Sequence, residues 1–552
     1  MQSNPDSNLT KFIKKYQNIF FLCLTIITGL FFVLPLSNFQ AYLAQGDHGR
    51  ELYGYWLTSQ GGLPYRDFTH MFGPFMPEYF GLLFNIFGAT VQTALLGQNL
   101  FIVLNGVLIY LICKQFSSNL FSYTFATVYW GLRDFEFFYT YNHTAGIFAI
   151  LGVVYMLIRY LNSYSIKFLY AGFTFSALLM LIRLNMGIAF WFGFGLCVIL
   201  IHILDQKPMT PNMLKHFFIS ALCLPIPVAL IYGILLYGLP NYAIYQSFPW
   251  GNDQRTDVSH SITQCLINLR EYVISIFSRF KSYIVAGWAI ILSSLYIGLM
   301  VLQKKFTEPS DRKLLIQSLL LGILIILGLH EFLASSVYYR VEWVIPIFFI
   351  LLGTMLQMIF NKGNKIFSLS IVQTTILILI LVLSYNKFNS YLALINKAAK
   401  PTSCLNWNGS KVCTFQEPAW FLTVYQTLDF IDKNIPSNEP IFCVPYDALY
   451  LFLTKHKSPT REIMLFQHFR IPPEQDKAIV DTLEKKHVKW VIISNRAISI
   501  EDGMGVLGQD YCPQLAAYLE KNFEIVKGFG QWNNQPSWAW NHATRILRRK
   551  LF

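Results

Sequence analysis

Apolar runs long enough to cross a membrane recur through the first two-thirds of the chain, and no other feature constrains the fold as tightly. A spanning helix needs roughly 20 predominantly apolar residues, and only segments that satisfy their own backbone hydrogen bonds can lie in hydrocarbon. By that rule spans are predicted near 18–37, 93–113, 118–132, 143–161, 167–182, 185–204, 216–237, 283–302, 314–333, 341–360 and 366–385, about eleven in all. Those near 118–132 and 167–182 are the shortest, whereas Ile376–Ser384 is uninterrupted (ILILILVLS). Composition agrees: 54% of residues are hydrophobic and only 13% charged, against about 25% charged in soluble domains.

Lys11, Lys14 and Lys15 precede the first run, which is longer than a signal-peptide core and has no A-x-A cleavage pattern, so it reads as a retained span. The net charge of +13 does not mark a nucleic-acid surface, because the basic residues sit mainly in short loops and near the two ends. With the N-terminus inside, fourteen Lys and Arg fall on inner segments and nine on the longer outer loops. That bias predicts a cytoplasmic N-terminus and an external C-terminal region, and it requires an odd number of spans.

Two outer loops are long. The first, 38–92, holds two amphipathic segments, near 48–59 and 75–87, suited to helices lying in the interface plane. The second, about 238–282, carries Phe248-Pro-Trp-Gly-Asn-Asp-Gln-Arg255. From about 386 onward the chain changes character. Strand-like runs at Pro440-IFCVP and Val488-KWVIIS flank a helical stretch from Pro473 to Lys486, which predicts a small external α/β domain. The expected organisation is therefore a polytopic α-helical membrane module over 1–385 and an external α/β domain over 386–552. Of the nine cysteines, Cys404 and Cys413 bracket LNWNGSKV in the exported part, where an oxidising compartment favours a bridge between them. Cys443 and Cys512 are open to either state.

Ionisable groups at helix ends in such a chain are functional candidates. On the predicted topology Asp47, His48, Glu51, Arg66, Asp67, Glu78, Arg133, Asp134, Glu136, Asn142, His143, Arg183, Asn185, His330, Glu331, Arg340 and Glu342 all belong to the outer side. A one-sided ring of this kind fits a reaction cavity at the outer interface better than a conduction path, which places such groups at mid-depth.

Within the first loop, Asp47 follows span one, Gly61-Gly-Leu-Pro-Tyr-Arg-Asp-Phe68 forms a turn, and Gly73-Pro74 leads into Tyr79-Phe-Gly-Leu-Leu-Phe-Asn-Ile-Phe-Gly88. This pattern resembles the first external loop of the GT-C glycosyltransferases that use polyprenyl-phosphate sugars, the protein O-mannosyltransferase and aminoarabinose-transferase relatives. His48 departs from it, since that family often has Glu after the Asp. The resemblance implies a GT-C-like membrane core, a polyprenyl-phosphate-linked sugar donor and a lipid, glycan or protein acceptor. It also implies inverting transfer on the outer face of a membrane, most simply the bacterial inner membrane, with the C-terminal domain periplasmic. Asp47 is then the candidate general base. Arg66, Arg183 and Arg340 are candidates for the donor phosphate, whose oxygens match the guanidinium fork. His48, Glu51, Asp67 and Glu342 are candidate positioning groups. No cofactor is required, no metal-ligand spacing stands out, and a divalent metal stays open.

Each residue also has a plainer reading. Asp47 fits a helix cap or a solvated acid, Asp67 a turn-ordering group, the histidines hydrogen-bonded structural positions, and Arg183 and Arg340 anchors at helix ends. Two other functions compete with transfer. A lipid-linked sugar flippase or other transporter would show paired interrupted helices in two halves, and no internal repeat is visible. A non-catalytic scaffold in envelope polysaccharide assembly is kept open by the Asp47-His48 departure.

Overall fold

The computed structural model describes residues 5–36, 46–132, 142–248, 309–335, 338–362, 389, 392–393, 395–396, 403–414, 419–498, 504–533 and 543–550. The candidate spans near 283–302 and 366–385, most of the second outer loop, and Arg133, Asp134 and Glu136 lie outside the described residues.

The membrane part is an assembly of helices: α1 (Pro5–Val33), α2 (Gly46–Ser59), α3 (Phe75–Phe87), α4 (Val91–Cys113), α5 (Asn119–Leu132), α6 (His143–Ser163), α7 (Ile166–Ile182), α8 (Leu184–Leu204), α9 (Pro211–Cys223), α10 (Pro225–Leu236) and α11 (Asn241–Gln246). After the undescribed stretch come α12 (Pro309–Gly328), α13 (His330–Ser335), a 3₁₀ segment Tyr338–Trp343 and α14 (Ile345–Lys362). Six described stretches are long and apolar enough to cross a membrane: Tyr16–Val33, Val91–Cys113, His143–Ser163, Leu184–Leu204, Pro211–Leu236 and Arg312–Leu333. Ile166–Ile182 and Ile345–Met358 are shorter apolar helices.

Local chemistry sets several of the boundaries. Thr90 caps α4, its hydroxyl accepting the Thr93 N–H at 3.2 Å. The run predicted as one span near 216–237 is divided at Leu224. Pro225 has no N–H for the carbonyl four residues earlier. That carbonyl, of Ala221, accepts instead from the Trp191 indole at 3.1 Å. Between α7 and α8, Arg183 is extended (φ −153°, ψ 103°), which turns the chain between the two helices.

The external domain carries a hairpin, β1 (Ser403–Trp407) with β2 (Ser410–Thr414), and a four-stranded sheet in the order β3-β4-β6-β5. Here β3 is Ile441–Val444, β4 Trp490–Ser494, β5 Phe523–Phe529 and β6 Thr544–Arg549. β3 and β4 are parallel; the other pairs are antiparallel. Helices α15 (Ala419–Asn434), α16 (Leu449–Thr454), α17 (Pro473–Lys485) and α18 (Pro513–Asn522) complete it. Every residue of β3 is buried. Cys404 and Cys413 are bonded across the hairpin, while Cys443 and Cys512 are free and buried.

The first outer loop forms helices at both expected places, but in different surroundings. On α3, Leu82, Ile86 and Phe87 are exposed, as an interfacial helix requires. On α2, by contrast, Tyr53, Tyr55 and Trp56 are buried. The external domain covers that helix, and the Tyr53 hydroxyl accepts the Ser458 N–H at 2.7 Å.

Candidate active site

Helix α2 meets the external domain through two glycines. A Cβ on Gly46 would lie 2.2 Å from Tyr446 Cδ1, and one on Gly49 would lie 2.5 Å from the Leu449 backbone nitrogen. Without side chains at these positions, the first turn of α2 fits directly against the segment that follows β3. Asp47, in that turn, accepts a hydrogen bond from the Tyr446 hydroxyl on Oδ1. Burial pushes the Tyr446 hydroxyl well above the usual phenol range, so it remains a donor.

Arg50, one helical turn after Asp47, is buried and links two acids. Its Nη1 lies 3.3 Å from Asp47 Oδ1 and its Nη2 2.6 Å from Glu51 Oε1. Its guanidinium also stands over the Phe72 and Tyr446 rings, at 5.5 and 5.8 Å from their centroids. Glu51 therefore orders Arg50. His48 is buried, and desolvation lowers its pKa to about 4 against the opposing pull of Asp47. It is a neutral packing residue at neutral pH.

A second ion pair lies across the membrane helices. Arg183, at the α7–α8 junction, holds Glu331 of α13 with both Nε and Nη2, the latter at 2.9 Å from Oε2. Asn185 Nδ2 donates to Glu331 Oε1 at 2.8 Å. The Arg183 guanidinium stacks over Phe72 at 5.0 Å and Trp343 at 5.3 Å. Phe72 thus lies between the two arginines and joins the pairs into one cluster. His143 packs edge-on against Trp343 at 4.8 Å and feels the charges of Arg183, Glu331, Arg340 and Asp47. Arg340, half-buried in the 3₁₀ segment, makes no hydrogen bond or ion pair with a described residue, although its charge acts on Glu331 and His143. Glu342 is two positions further on, beside Trp343, and is also half-buried.

The structure does not bring every candidate here. Arg66 donates through Nε to the Leu235 carbonyl at 3.2 Å and through Nη2 to that of Tyr237, tying the first loop to the end of α10. It makes no described contact with Asp47, Arg50 or Arg183. Asp67 accepts the Leu63 N–H at 2.7 Å and orders the turn instead of pairing with Arg66. Among the described residues no group of three or more His, Cys, Asp or Glu side chains is placed to hold a metal ion.

Two members of the cluster were missed as site residues in the sequence. Arg50 had a signal, since a basic residue three positions after Asp47 on a helix shares its face. Tyr446 had none, being 399 residues away in the chain. Glu331 was in the outer-face set but without a role.

Of the three acids in the cluster, only Asp47 is open. Its side chain is 29% exposed, against 2% for Glu51 and 3% for Glu331. The arrangement thus presents one accessible carboxylate in a cluster framed by two buried ion pairs.

No protein-family model matches the chain, and no curated protein matches it in sequence. Solved structures match its fold over nearly its whole length. ArnT from Cupriavidus metallidurans in the apo state superposes with a TM-score of 0.57 at 12% identity, covering 98% of both chains. The same protein bound to undecaprenyl phosphate gives 0.54 at 12% identity, over 96% of this chain and 97% of that one. The archaeal oligosaccharyltransferase AglB from Archaeoglobus fulgidus, in complex with an inhibitory peptide and a dolichol-phosphate, gives 0.51 at 11% identity, over 92% and 72%. The chain shares the fold of these structures, a core of apolar helices with an α/β domain attached.

Proposed function

We propose that this protein is an integral-membrane glycosyltransferase that moves a sugar from a polyprenyl-phosphate donor to a lipid, glycan or protein acceptor on the outer face of the membrane. Residues 1–385 form the catalytic module in this reading and 386–552 the external domain, with the N-terminus cytoplasmic and the external domain periplasmic in a bacterial inner membrane. The observation that carries it is the accessible Asp47 carboxylate in a cluster whose other two acids are buried in ion pairs. The shared fold with two proteins solved in complex with polyprenyl phosphates supports it.

In the reaction the acceptor hydroxyl attacks the anomeric carbon of the donor sugar. The bond from that carbon to the phosphate oxygen breaks, and its electron pair leaves with the polyprenyl phosphate. Asp47 takes the proton of the attacking hydroxyl, a role open to a carboxylate within hydrogen-bond reach. Negative charge gathers on the leaving phosphate, where Arg340 and the remaining Nη1 edge of Arg183 are suited to meet it. Glu331 and Asn185 hold Arg183 in place, so the site is organised before substrate arrives. His48, Glu51 and Glu342 shape the surroundings, while Arg66 and Asp67 order the first loop.

The test is turnover by purified protein in lipid, with a panel of polyprenyl-phosphate sugars and release of polyprenyl phosphate as the readout. Wild type is expected to release it, and Asp47→Asn to lose about a hundredfold or more of that rate with unchanged thermal unfolding. Equal release by both proteins would remove Asp47 from the role of base.

A further inference from the structure

We infer that Tyr446, supplied by the external domain, is a positioning residue for the Asp47 carboxylate, which makes the external domain part of the reacting site. The inference rests on the glycosyl-transfer reading above and adds a residue that the first loop does not contain.

Among the described residues, the contacts to Asp47 from Tyr446 and from Arg50 both fall on Oδ1. A hydrogen bond and an ion pair on one oxygen restrict the carboxylate and leave Oδ2 for an incoming hydroxyl. Tyr446 is itself held from several sides. Its ring lies against Gly46, where there is no room for a Cβ. It packs at 5.3 Å from Phe466 and at 5.8 Å from the Arg50 guanidinium. The next residue, Asp447, pairs with Arg496 at 3.4 Å, and both side chains are almost fully buried (3% and 2% exposed). That pair lies wholly within the external domain and joins the segment after β3 to the segment after β4. The phenol that meets Asp47 is therefore set by the α/β fold and not by the membrane helices. Arg50 receives a second contact from the same domain, at 3.6 Å from Met464 Sδ.

The experiment compares Tyr446→Phe with Tyr53→Phe in full-length protein, reading release of polyprenyl phosphate. Each variant removes one hydroxyl that joins α2 to the external domain, since Tyr53 accepts the Ser458 N–H, but only Tyr446 reaches Asp47. Tyr446→Phe is expected to lower kcat about tenfold or more, because misorientation of a catalytic group acts on the reacting complex, and to leave the donor KM within about twofold. Tyr53→Phe is expected to leave both within about twofold of wild type. Equal losses in the two variants would overturn the inference and reduce Tyr446 to a docking contact, and no loss in Tyr446→Phe would overturn it outright.

A double-mutant cycle of Asp47→Asn and Tyr446→Phe in thermal unfolding tests the contact without turnover. Coupled residues give shifts in Tm that do not add, and additive shifts would remove the contact. If wild type releases nothing from any donor, the functional reading fails while the cycle still decides the pairing.

Discussion

The Tyr446 hydroxyl of the external domain donates to the Asp47 carboxylate in the first turn of α2, across 399 residues of chain. Such a contact forms only because glycines at 46 and 49 let the backbones approach closely. It places an element of the α/β domain within a cluster that otherwise belongs to the first loop and the ends of the helices.

That close approach can be broken with one side chain. In Gly49→Val the new atoms meet the Leu449 backbone, which has no flexible end to give way. Overpacking of this kind costs about 2 kcal/mol or more. The expected result is a lower Tm, easier proteolysis of the external domain and reduced turnover. Gly131→Ala serves as the control, since a Cβ there meets nothing within 4 Å, and it should leave all three readouts unchanged.

The two arginines near Glu331 should separate stability from binding. Glu331→Gln leaves the buried Arg183 without its counter-charge, and breaking a buried pair in this way costs about 3–5 kcal/mol, read as a large loss of thermal stability. Arg340 makes no ion pair with a described residue, so Arg340→Gln should unfold close to wild type while its KM for the donor rises about tenfold, as expected for a lost charge-assisted contact to phosphate. An unchanged KM in Arg340→Gln would remove Arg340 from phosphate binding.

His48 should give the protein an acid-sensitive step. Its folded pKa is depressed to about 4 by burial, below the unfolded value of about 6.5. Between those values the unfolded chain binds the proton and the folded one does not. Stability from this group is therefore complete above about pH 6.5 and is lost progressively as pH falls toward 4, by about 3 kcal/mol in all. Thermal unfolding measured from pH 7 to 4 should show the slope, and His48→Gln should flatten it. An equal slope in that variant would assign it to other groups.

The bridge between Cys404 and Cys413 closes a loop of nine residues in separation, a constraint worth about 2–3 kcal/mol on the unfolded chain. The hairpin it closes also grips the start of α4, where the Val91 N–H donates to Ser410 Oγ at 3.1 Å and the Lys411 N–H to Gln92 Oε1 at 3.0 Å. Reduction, or paired Cys404→Ser and Cys413→Ser substitution, should lower Tm and raise amide exchange over 403–414. The first-loop cluster should keep its protection.

Much of the architecture is legible in the sequence. The apolar runs located the described membrane helices, and the amphipathic segments located α2 and α3. Pro473 marked the start of α17, and the alternating runs at 441–444 and 490–494 became β3 and β4. These are local properties: hydropathy over twenty residues, periodicity over ten and the missing N–H of proline each act within a turn or two of helix. The division of the 216–237 run at Pro225 is local as well, although the apolar run alone reads as one span.

The site was only partly legible. Asp47 could be singled out by its place after the first span, Arg183 and Arg340 by their charge at helix ends. Their differences could not be read there. Arg66 and Arg183 are the same residue type in similar outer positions, yet one binds the carbonyls closing α10 and the other grips a buried glutamate. The aromatic residues of α2 have the pattern of a membrane-surface helix, and it took the covering α/β domain to bury them. By itself the sequence determined which segments are apolar enough to enter a membrane and where the strands of the C-terminal α/β fold begin, because those follow from hydropathy and periodicity within each segment. Only the tertiary structure decided which arginine has a counter-charge, which acid stays open, and that Tyr446 meets Asp47, because charge pairing and desolvation depend on neighbours hundreds of residues apart in the chain.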